Sequence, residues 1–199
     1  MRIKFLTERP FGEKVRKWLI SQGETIVDKG QELTIICYYA RILPQSEIDE
    51  APTLNFHPGY LPMYRGMHPQ YWALVEDGPY GVTLHWVSKE VDCGPIIAQK
   101  KYNVLPTFIA SDMDRISQKT IFELFKKWWP RIKKGTAPKR RQKGPSSRHL
   151  MKDIQKIHEF DASIVRRMRA NTFDDTSYAY FIDKGKRIKF GIKFYEDTC

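Results

Sequence analysis

Leu33-Thr34-Ile35-Ile36-Cys37-Tyr38-Tyr39 is a nearly continuous apolar run. A strand with one wet face alternates polar and apolar residues, so a run of this kind predicts a strand buried on both faces, as in a parallel sheet covered by helices. The preceding segments agree. Ile3 to Leu6 reads as an opening strand, Thr7-Glu8-Arg9-Pro10-Phe11-Gly12 as a turn, and Val15, Trp18 and Leu19 as the apolar face of a helix. A short strand from Thr25 to Val27 follows. The expected fold class is α/β, a doubly wound and mostly parallel sheet. The first turn lacks the three glycines of a dinucleotide fingerprint, so it implies no bound nicotinamide or flavin, although its Arg9 can reach an anion.

Working forward, Ala40-Arg41-Ile42-Leu43-Pro44 is a loop at the C-terminal end of the apolar strand, the edge where open parallel sheets bind ligands. A short helix after Pro44 leads to another strand, Thr53 to His57. Pro58-Gly59-Tyr60-Leu61-Pro62-Met63-Tyr64-Arg65-Gly66 reads as a rigid loop shaping a pocket. Pro69 to Val75 reads as a helix closed by Asp77-Gly78. Gly81 to Val87 alternates as a strand, with Val82, Leu84 and Trp86 on one face and Thr83, His85 and Val87 on the other. A strand from Ile96 to Tyr102 follows. Ser111 opens a long helix that carries Met113, Ile116, Ile121, Leu124, Phe125 and Trp128 and is expected to stop at Pro130. Ile154 to Met168 reads as a further helix, and Tyr178 to Phe190 as a hairpin about a glycine-bearing turn. These elements predict a catalytic domain over residues 1–137 and an extension over 138–199 made of a basic connector, a helix and the hairpin.

The chain has 199 residues, 41% of them hydrophobic, enough for a substantial core. No stretch approaches the ~18 uninterrupted apolar residues of a membrane span. The start, Met1-Arg2-Ile3-Lys4-Phe5-Leu6, reads as a strand rather than an export signal, so a cytoplasmic protein is expected. Cys37, Cys93 and Cys199 are widely spaced and form no CxxC pair, which fits a reducing compartment. The net charge is +11, and Lys133, Lys134, Lys139, Arg140, Arg141 and Lys143 lie between Arg131 and Arg148 without a single acid. Glycines and prolines interrupt that run, so it reads as a mobile basic connector, either simply solvated or in contact with phosphate.

Asn55-Phe56-His57 and Asp92 supply the chemistry. An amide, an imidazole and a carboxylate are the parts needed to hold a carbonyl, polarise it and manage the protons of an attacking amine. Asn55 and His57 are two apart and point to the same side of an extended chain, and Asp92 lies in a connection between two strands. Duller readings stand beside this one. Asp92 can cap a turn, and His57, His68 and His85 can be hydrogen-bonded structure. Zinc held by these histidines and Cys93 lacks any short paired-ligand spacing, so no metal is expected. Arg9 and Arg65 are planar donors that suit a pyrophosphate or serve packing. Tyr178 and Tyr180 can stack on a nucleotide base or pack the hairpin.

The ordered series Ala40-Arg41-Ile42-Leu43-Pro44, Asn55-Phe56-His57-Pro58-Gly59-Tyr60-Leu61-Pro62, Tyr64-Arg65-Gly66, Pro69-Gln70-Tyr71-Trp72-Ala73, Gly81-Val82-Thr83-Leu84-His85 and Val91-Asp92-Cys93-Gly94-Pro95-Ile96-Ile97 resembles the folate-dependent formyltransferases. With Trp129-Pro130 it covers about two-thirds of the chain. The resemblance implies a Rossmann-like sheet and places Asn55, His57 and Asp92 on the family's catalytic residues. It implies 10-formyltetrahydrofolate as co-substrate, with the pterin near Arg41, Ile42 and Leu43 and the backbone from Val87 to Val91. The Tyr-Trp-Ala helix, the Gly-Pro-Ile-Ile segment and the entry to the C-terminal hairpin most resemble the nucleotide-linked sugar N-formyltransferases. The implied acceptor is the amine of an amino-dideoxy sugar, dTDP-linked in the common case, with Arg9, Arg65, His68, Tyr178 and Tyr180 on the acceptor side.

Only 54 residues precede Asn55, fewer than the family usually has, so the N-terminal half is expected to be shortened by a strand and a helix. The mechanism expected has Asn55 and a proton-donating His57 stabilising the formyl oxygen while Asp92 takes the ammonium proton and orients the imidazole. Two alternatives compete: an enzyme like methionyl-tRNA formyltransferase, and a nucleic-acid-binding protein whose basic segment grips RNA over a vestigial core. Occupied catalytic positions speak against the second. The aromatic hairpin can pair with a second copy of the chain to form a homodimer or pack on its own domain.

Overall fold

The computed structural model describes residues 1–150, 152–153, 179–183 and 185–190. The apolar run forms β3 (Leu33–Cys37) near the middle of a six-stranded sheet. Before it come β1 (Arg2–Leu6), α1 (Pro10–Ser21) and β2 (Thr25–Ile26). After it come α2 (Gln45–Asp49), β4 (Thr53–His57), β5 (Arg65–Gly66), α3 (Pro69–Val75), β6 (Gly81–Trp86), β7 (Ile96–Lys101) and α4 (Ala110–Lys133). The sheet order is β2-β1-β3-β4-β6-β7. Strands β1 to β4 pair in parallel, and β6 and β7 are antiparallel additions. The connection from β2 to β3, residues 27–32, contains no helix.

Two compact units emerge. One comprises Met1–Val104 and Phe108–Leu150, the other Leu105–Thr107 and Met151–Cys199. In the second, β9 (Ala179–Asp183) and β10 (Lys186–Phe190) form the expected antiparallel hairpin, turning at Gly185 with φ +76°. The expected helix over 154–168 lies outside the described residues. Among the described residues no helix is long and apolar enough to cross a membrane.

The core of the first unit joins Ile3, Ile35, Leu54, Leu84 and Ile97 of the sheet to Val15 and Leu19 of α1 and to Ile121, Phe125 and Trp129 of α4. Trp18 of α1 meets Phe122, Phe125 and Trp129 edge-on, with centroids 5.9, 5.7 and 6.4 Å away. Helix α4 runs through Pro130, where the sequence reading ends it. Proline removes one helical hydrogen bond, but Trp129 and Ile132 on either side are buried and hold the last turn against the core. The helix stops two residues short of Gly135, which adopts φ +68°.

The basic run is not a solvated linker. Arg131 and Lys133 belong to the last turn of α4, and Lys133 pairs with the buried Glu24 carboxylate. Arg140 forms an antiparallel bridge with Ile96, donating its N–H to the Ile96 carbonyl at 3.0 Å and accepting the Ile96 N–H at 2.7 Å. β8 (Arg148–His149) pairs in parallel with β5. Lys134, Lys139, Arg141 and Lys143 remain exposed between these anchors.

Candidate active site

Strand β6 is buried along its whole length, so its alternation divides two interiors. Val82, Leu84 and Trp86 join the apolar core. Thr83 and His85 serve polar partners. Thr83 Oγ1 donates to the Gly59 carbonyl at 2.7 Å and accepts the Leu61 N–H at 3.1 Å, which pins the loop after β4 to the sheet. Gln99 of β7 reinforces it by donating to the Leu61 carbonyl at 2.7 Å.

The antiparallel register sets Asn55 opposite His85 and His57 opposite Thr83. One Nδ2 hydrogen of Asn55 goes to His85 Nε2 at 3.1 Å, and the other to Asp92 Oδ1 at 3.2 Å. The His85 proton is assigned to Nδ1 because that atom faces the Trp86 carbonyl at 2.9 Å, an acceptor only. The same logic puts the His57 proton on Nε2, which donates to the Tyr64 carbonyl at 3.1 Å. His57 Nδ1 is thereby left facing Asp92 Oδ2 at 3.5 Å. Asp92 Oδ2 also accepts the Gly66 N–H at 2.8 Å. Asn55, His57, His85 and Asp92 thus form one contiguous polar cluster, with His57 and His85 almost fully buried.

Charge is divided unequally within it. Burial works to raise the Asp92 carboxyl, but the imidazoles of His57 and His85 and the Gly66 N–H outweigh it and hold the group well below the usual carboxylate range. Burial is the largest influence on His57 and pushes its imidazole down, and the opposing pull of Asp92 does not reverse this. The resting pair is a neutral imidazole with its lone pair at Nδ1 beside an ionised carboxylate. Such a ring can take a proton and have the resulting cation stabilised on the spot.

Asp92 adopts φ +55°, a left-handed conformation that aspartate tolerates better than most residues. Two carbonyls of its turn, those of Asp92 and Gly94, accept the Gln142 Nε2 hydrogens at 2.7 and 2.8 Å. Gln142 Oε1 in turn accepts from Arg65, at 2.7 Å from Nη2 and 3.3 Å from Nε. Ser147 Oγ accepts the Tyr64 N–H at 2.8 Å, so the residue whose carbonyl fixes His57 is itself fixed.

The remaining residues singled out from sequence stand apart from this cluster. Arg41 is exposed and pairs with Glu47 at 2.9 Å. Ile42 is 74% exposed, whereas Leu43 is buried. All three lie on the loop after β3, at the sheet edge where β4 ends. Val87 donates its N–H to Thr53 at 2.7 Å, at the opposite end of β4 from His57, and Val91 is half-buried beside Asp92 in sequence. Arg9 and His68 are exposed, the latter preceding α3 with φ +52°. Tyr178 lies outside the described residues, and Tyr180 is described only as part of β9. Among the described residues no group of three or more His, Cys, Asp or Glu is arranged to hold a metal ion. The sequence reading missed Gln142, which sits inside the basic run, and left His85 undecided. The alternation of β6 was the available signal for His85.

A mostly parallel α/β sheet carrying an amide, two imidazoles and a carboxylate at one edge defines an acyl-transfer class of site. The sequence pattern of the formyl transferase family matches residues 21–125, and the chain belongs to that family. It is 28% identical over 171 residues to a dTDP-4-amino-4,6-dideoxyglucose formyltransferase of Mycobacterium tuberculosis, a match covering 80% of this chain and 71% of that one. A methionyl-tRNA formyltransferase of Nitratidesulfovibrio vulgaris is 36% identical over 84 residues, 41% of this chain and 26% of that protein. The crystal structure of a formyltransferase from Anoxybacillus kamchatkensis, in complex with UDP-4,6-dideoxy-4-formamido-L-AltNAc and tetrahydrofolate, is 26% identical. It superposes with a TM-score of 0.71 over 78% of this chain and 89% of that one.

Proposed function

We propose that this protein is a folate-dependent sugar N-formyltransferase, moving a formyl group from 10-formyltetrahydrofolate to the amine of a dTDP-linked amino-dideoxy sugar. The observation that carries the reading is the Asn55, His57, His85 and Asp92 cluster at the edge of a formyl transferase sheet. Similarity to the mycobacterial dTDP-sugar enzyme over 80% of the chain supports the acceptor class. The match to the methionyl-tRNA enzyme covers half as much of the chain. The free thiols of Cys37 and Cys93 are compatible with a reducing, cytoplasmic setting.

In this reading the amine nitrogen bonds to the formyl carbon, the bond to the donor nitrogen breaks, and the proton that leaves the amine ends, by way of His57, on the departing donor nitrogen. The formyl oxygen takes over, as acceptor, the Asn55 hydrogen now shared with Asp92, while the bond to His85 keeps the amide plane fixed. The neutral His57 takes the amine proton at Nδ1, and Asp92 stabilises the imidazolium that forms. This assigns the proton to the imidazole rather than to the carboxylate favoured from sequence. Arg65, Arg9 and His68 are proposed on the acceptor side, and the loop Arg41 to Leu43 with Val87 and Val91 on the folate side. The test is product analysis after mixing the full chain with the folate donor and, in separate reactions, dTDP-amino sugars, a UDP-amino sugar and methionyl-tRNA. Formyl-sugar and tetrahydrofolate in equal amounts are expected; formylated methionyl-tRNA alone, or no product, rejects the reading.

A further inference from the structure

We infer that Gln142 is a positioning residue for the transfer, holding the Asp92 turn in its reactive conformation through two hydrogen bonds and tying that turn to Arg65. The inference rests on the formyl-transfer reading for its kinetic consequence, and on geometry alone for its structural one.

Gln142 reaches back 50 residues to a turn whose own closure is a single backbone hydrogen bond, from the Cys93 N–H to the Glu90 carbonyl at 3.2 Å. Asp92 sits at φ +55°, and the only hydrogen-bond donor to its carbonyl among the described residues is the Gln142 amide. The same Nε2 satisfies the Gly94 carbonyl. Gly94 lies against the backbone of β6, so closely that a Cβ there would fall 1.7 Å from the Trp86 carbonyl oxygen. The turn is therefore braced from one side by β6 and from the other by Gln142. Between these braces the Asp92 side chain presents Oδ1 to Asn55 and Oδ2 to His57 and Gly66.

The orientation of the Gln142 amide is fixed at both ends. Two carbonyls require the NH2 end on one side, and a guanidinium requires the oxygen on the other, so no flipped amide satisfies the site. Arg65 thereby depends on Gln142 Oε1 while the Asp92 turn depends on Nε2. One planar group spaces a cation on the proposed acceptor side from the carboxylate that steadies His57. The surrounding strap supports the arrangement, through the Arg140 bridge to Ile96 before it and the Ser147 bond to Tyr64 after it.

The two ends separate by substitution. Gln142→Glu keeps an acceptor for Arg65 and loses both donors, setting a carboxylate against two carbonyl oxygens. Gln142→Met keeps the length of the side chain and loses both functions. With the full chain, Gln142→Glu is expected to lower kcat by about tenfold or more, the loss of two hydrogen bonds that act on the reacting geometry, with KM for the nucleotide sugar nearly unchanged. Gln142→Met is expected to lower kcat similarly and also to raise that KM. A second readout needs no substrate. The groups facing His57 are Asp92, His85 and Arg65, so a turn that drifts away removes the attraction of Asp92, and the His57 titration followed by NMR moves to lower pH in Gln142→Met, which adds no charge of its own. Should Gln142→Met not fold, Gln142→Glu carries the test. Wild-type kcat in a folded Gln142→Glu overturns the inference. If the unaltered protein transfers formyl to no acceptor, the functional reading has failed separately, and the titration decides: an unmoved His57 midpoint in Gln142→Met overturns the positioning role.

Discussion

Asn55 and His85 stand directly opposite each other in the antiparallel pair of β4 and β6, and the Asn55 amide donates to His85 Nε2 at 3.1 Å. The backbone register thus fixes the amide plane before any ligand arrives. His85 is ready to accept because its own proton is committed to the Trp86 carbonyl. Replacing His85 by leucine removes that acceptor and frees the Asn55 amide to rotate. The expected result is a loss of roughly tenfold in kcat, the equivalent of one hydrogen bond, in a protein that still folds. His85→Gln, which can still accept, should recover part of it. Steady-state kinetics on both variants against a dTDP-amino sugar provide the check, and equal rates for leucine and wild type would remove His85 from the site.

Asn55 is the sole side chain in the cluster with an N–H that can be released to a developing oxyanion. The N–H of His57 is bound to Tyr64 and that of His85 to Trp86. Asn55→Ala should therefore cost on the order of a hundredfold or more in kcat, the usual loss for one oxyanion donor. Folate affinity, measured by fluorescence titration, should change much less.

The pH dependence follows from His57. Burial lowers its pKa, and the active form proposed is the neutral ring. kcat, which reports the bound complex, should hold level as pH falls past the ordinary histidine value of about 6.5 and decline only below it. Stability moves with the same sign. The folded chain binds this proton less readily than the unfolded chain, so folding free energy is lost as pH drops from about 6.5 toward the folded value. A kcat that instead falls as pH rises through this range would mean that His57 works as a cation.

Much of this arrangement was legible in the sequence because it is local. The apolar run at Leu33 to Cys37, the strand Thr53 to His57 and the helix Pro69 to Val75 lie where spacing puts them. Asn55 and His57 share a face because a strand repeats every two residues. What could not be read depends on contacts between distant segments. Gln142 carries no signal of its own in a stretch of lysines and arginines, and its bonds to Asp92, Gly94 and Arg65 exist only once the strap has crossed the sheet edge. The assignment of the His57 proton to Nε2 rests on a distant contact of the same kind. The proton's location depends on the Tyr64 carbonyl, seven residues along a loop whose course the sequence does not specify.

Gly94 offers a separate probe of the Asp92 turn. Any side chain there meets the Trp86 carbonyl carbon at 2.8 Å and its oxygen still closer, and backbone cannot swing aside as a flexible side chain can. Gly94→Ala should shift the turn, destabilise the protein by about 1–3 kcal/mol as overpacking does, and lower kcat out of proportion to that loss. Thermal melts set beside activity at a temperature where the variant is folded would separate the two effects.

The two tryptophans at the end of α4 make a paired test of how the core is built. Simple helical spacing from Ile121 and Leu124 selects Trp128 for the interior, yet Trp129 is the buried one, at 5% exposure, while Trp128 is half-buried under the Arg131 guanidinium at 5.4 Å. The reason lies in α1. Trp18 draws Phe122, Phe125 and Trp129 into edge-on contact, so the buried face of α4 turns toward that helix along its length. Trp129→Ala should accordingly cost about 3–5 kcal/mol, the range for deleting a core aromatic. Trp128→Ala removes partly exposed surface and a cation contact worth about 0.5–1 kcal/mol, and should cost far less. Urea denaturation of the two variants in parallel tests the assignment, and a larger loss at Trp128 than at Trp129 would place the wrong face of α4 against the sheet.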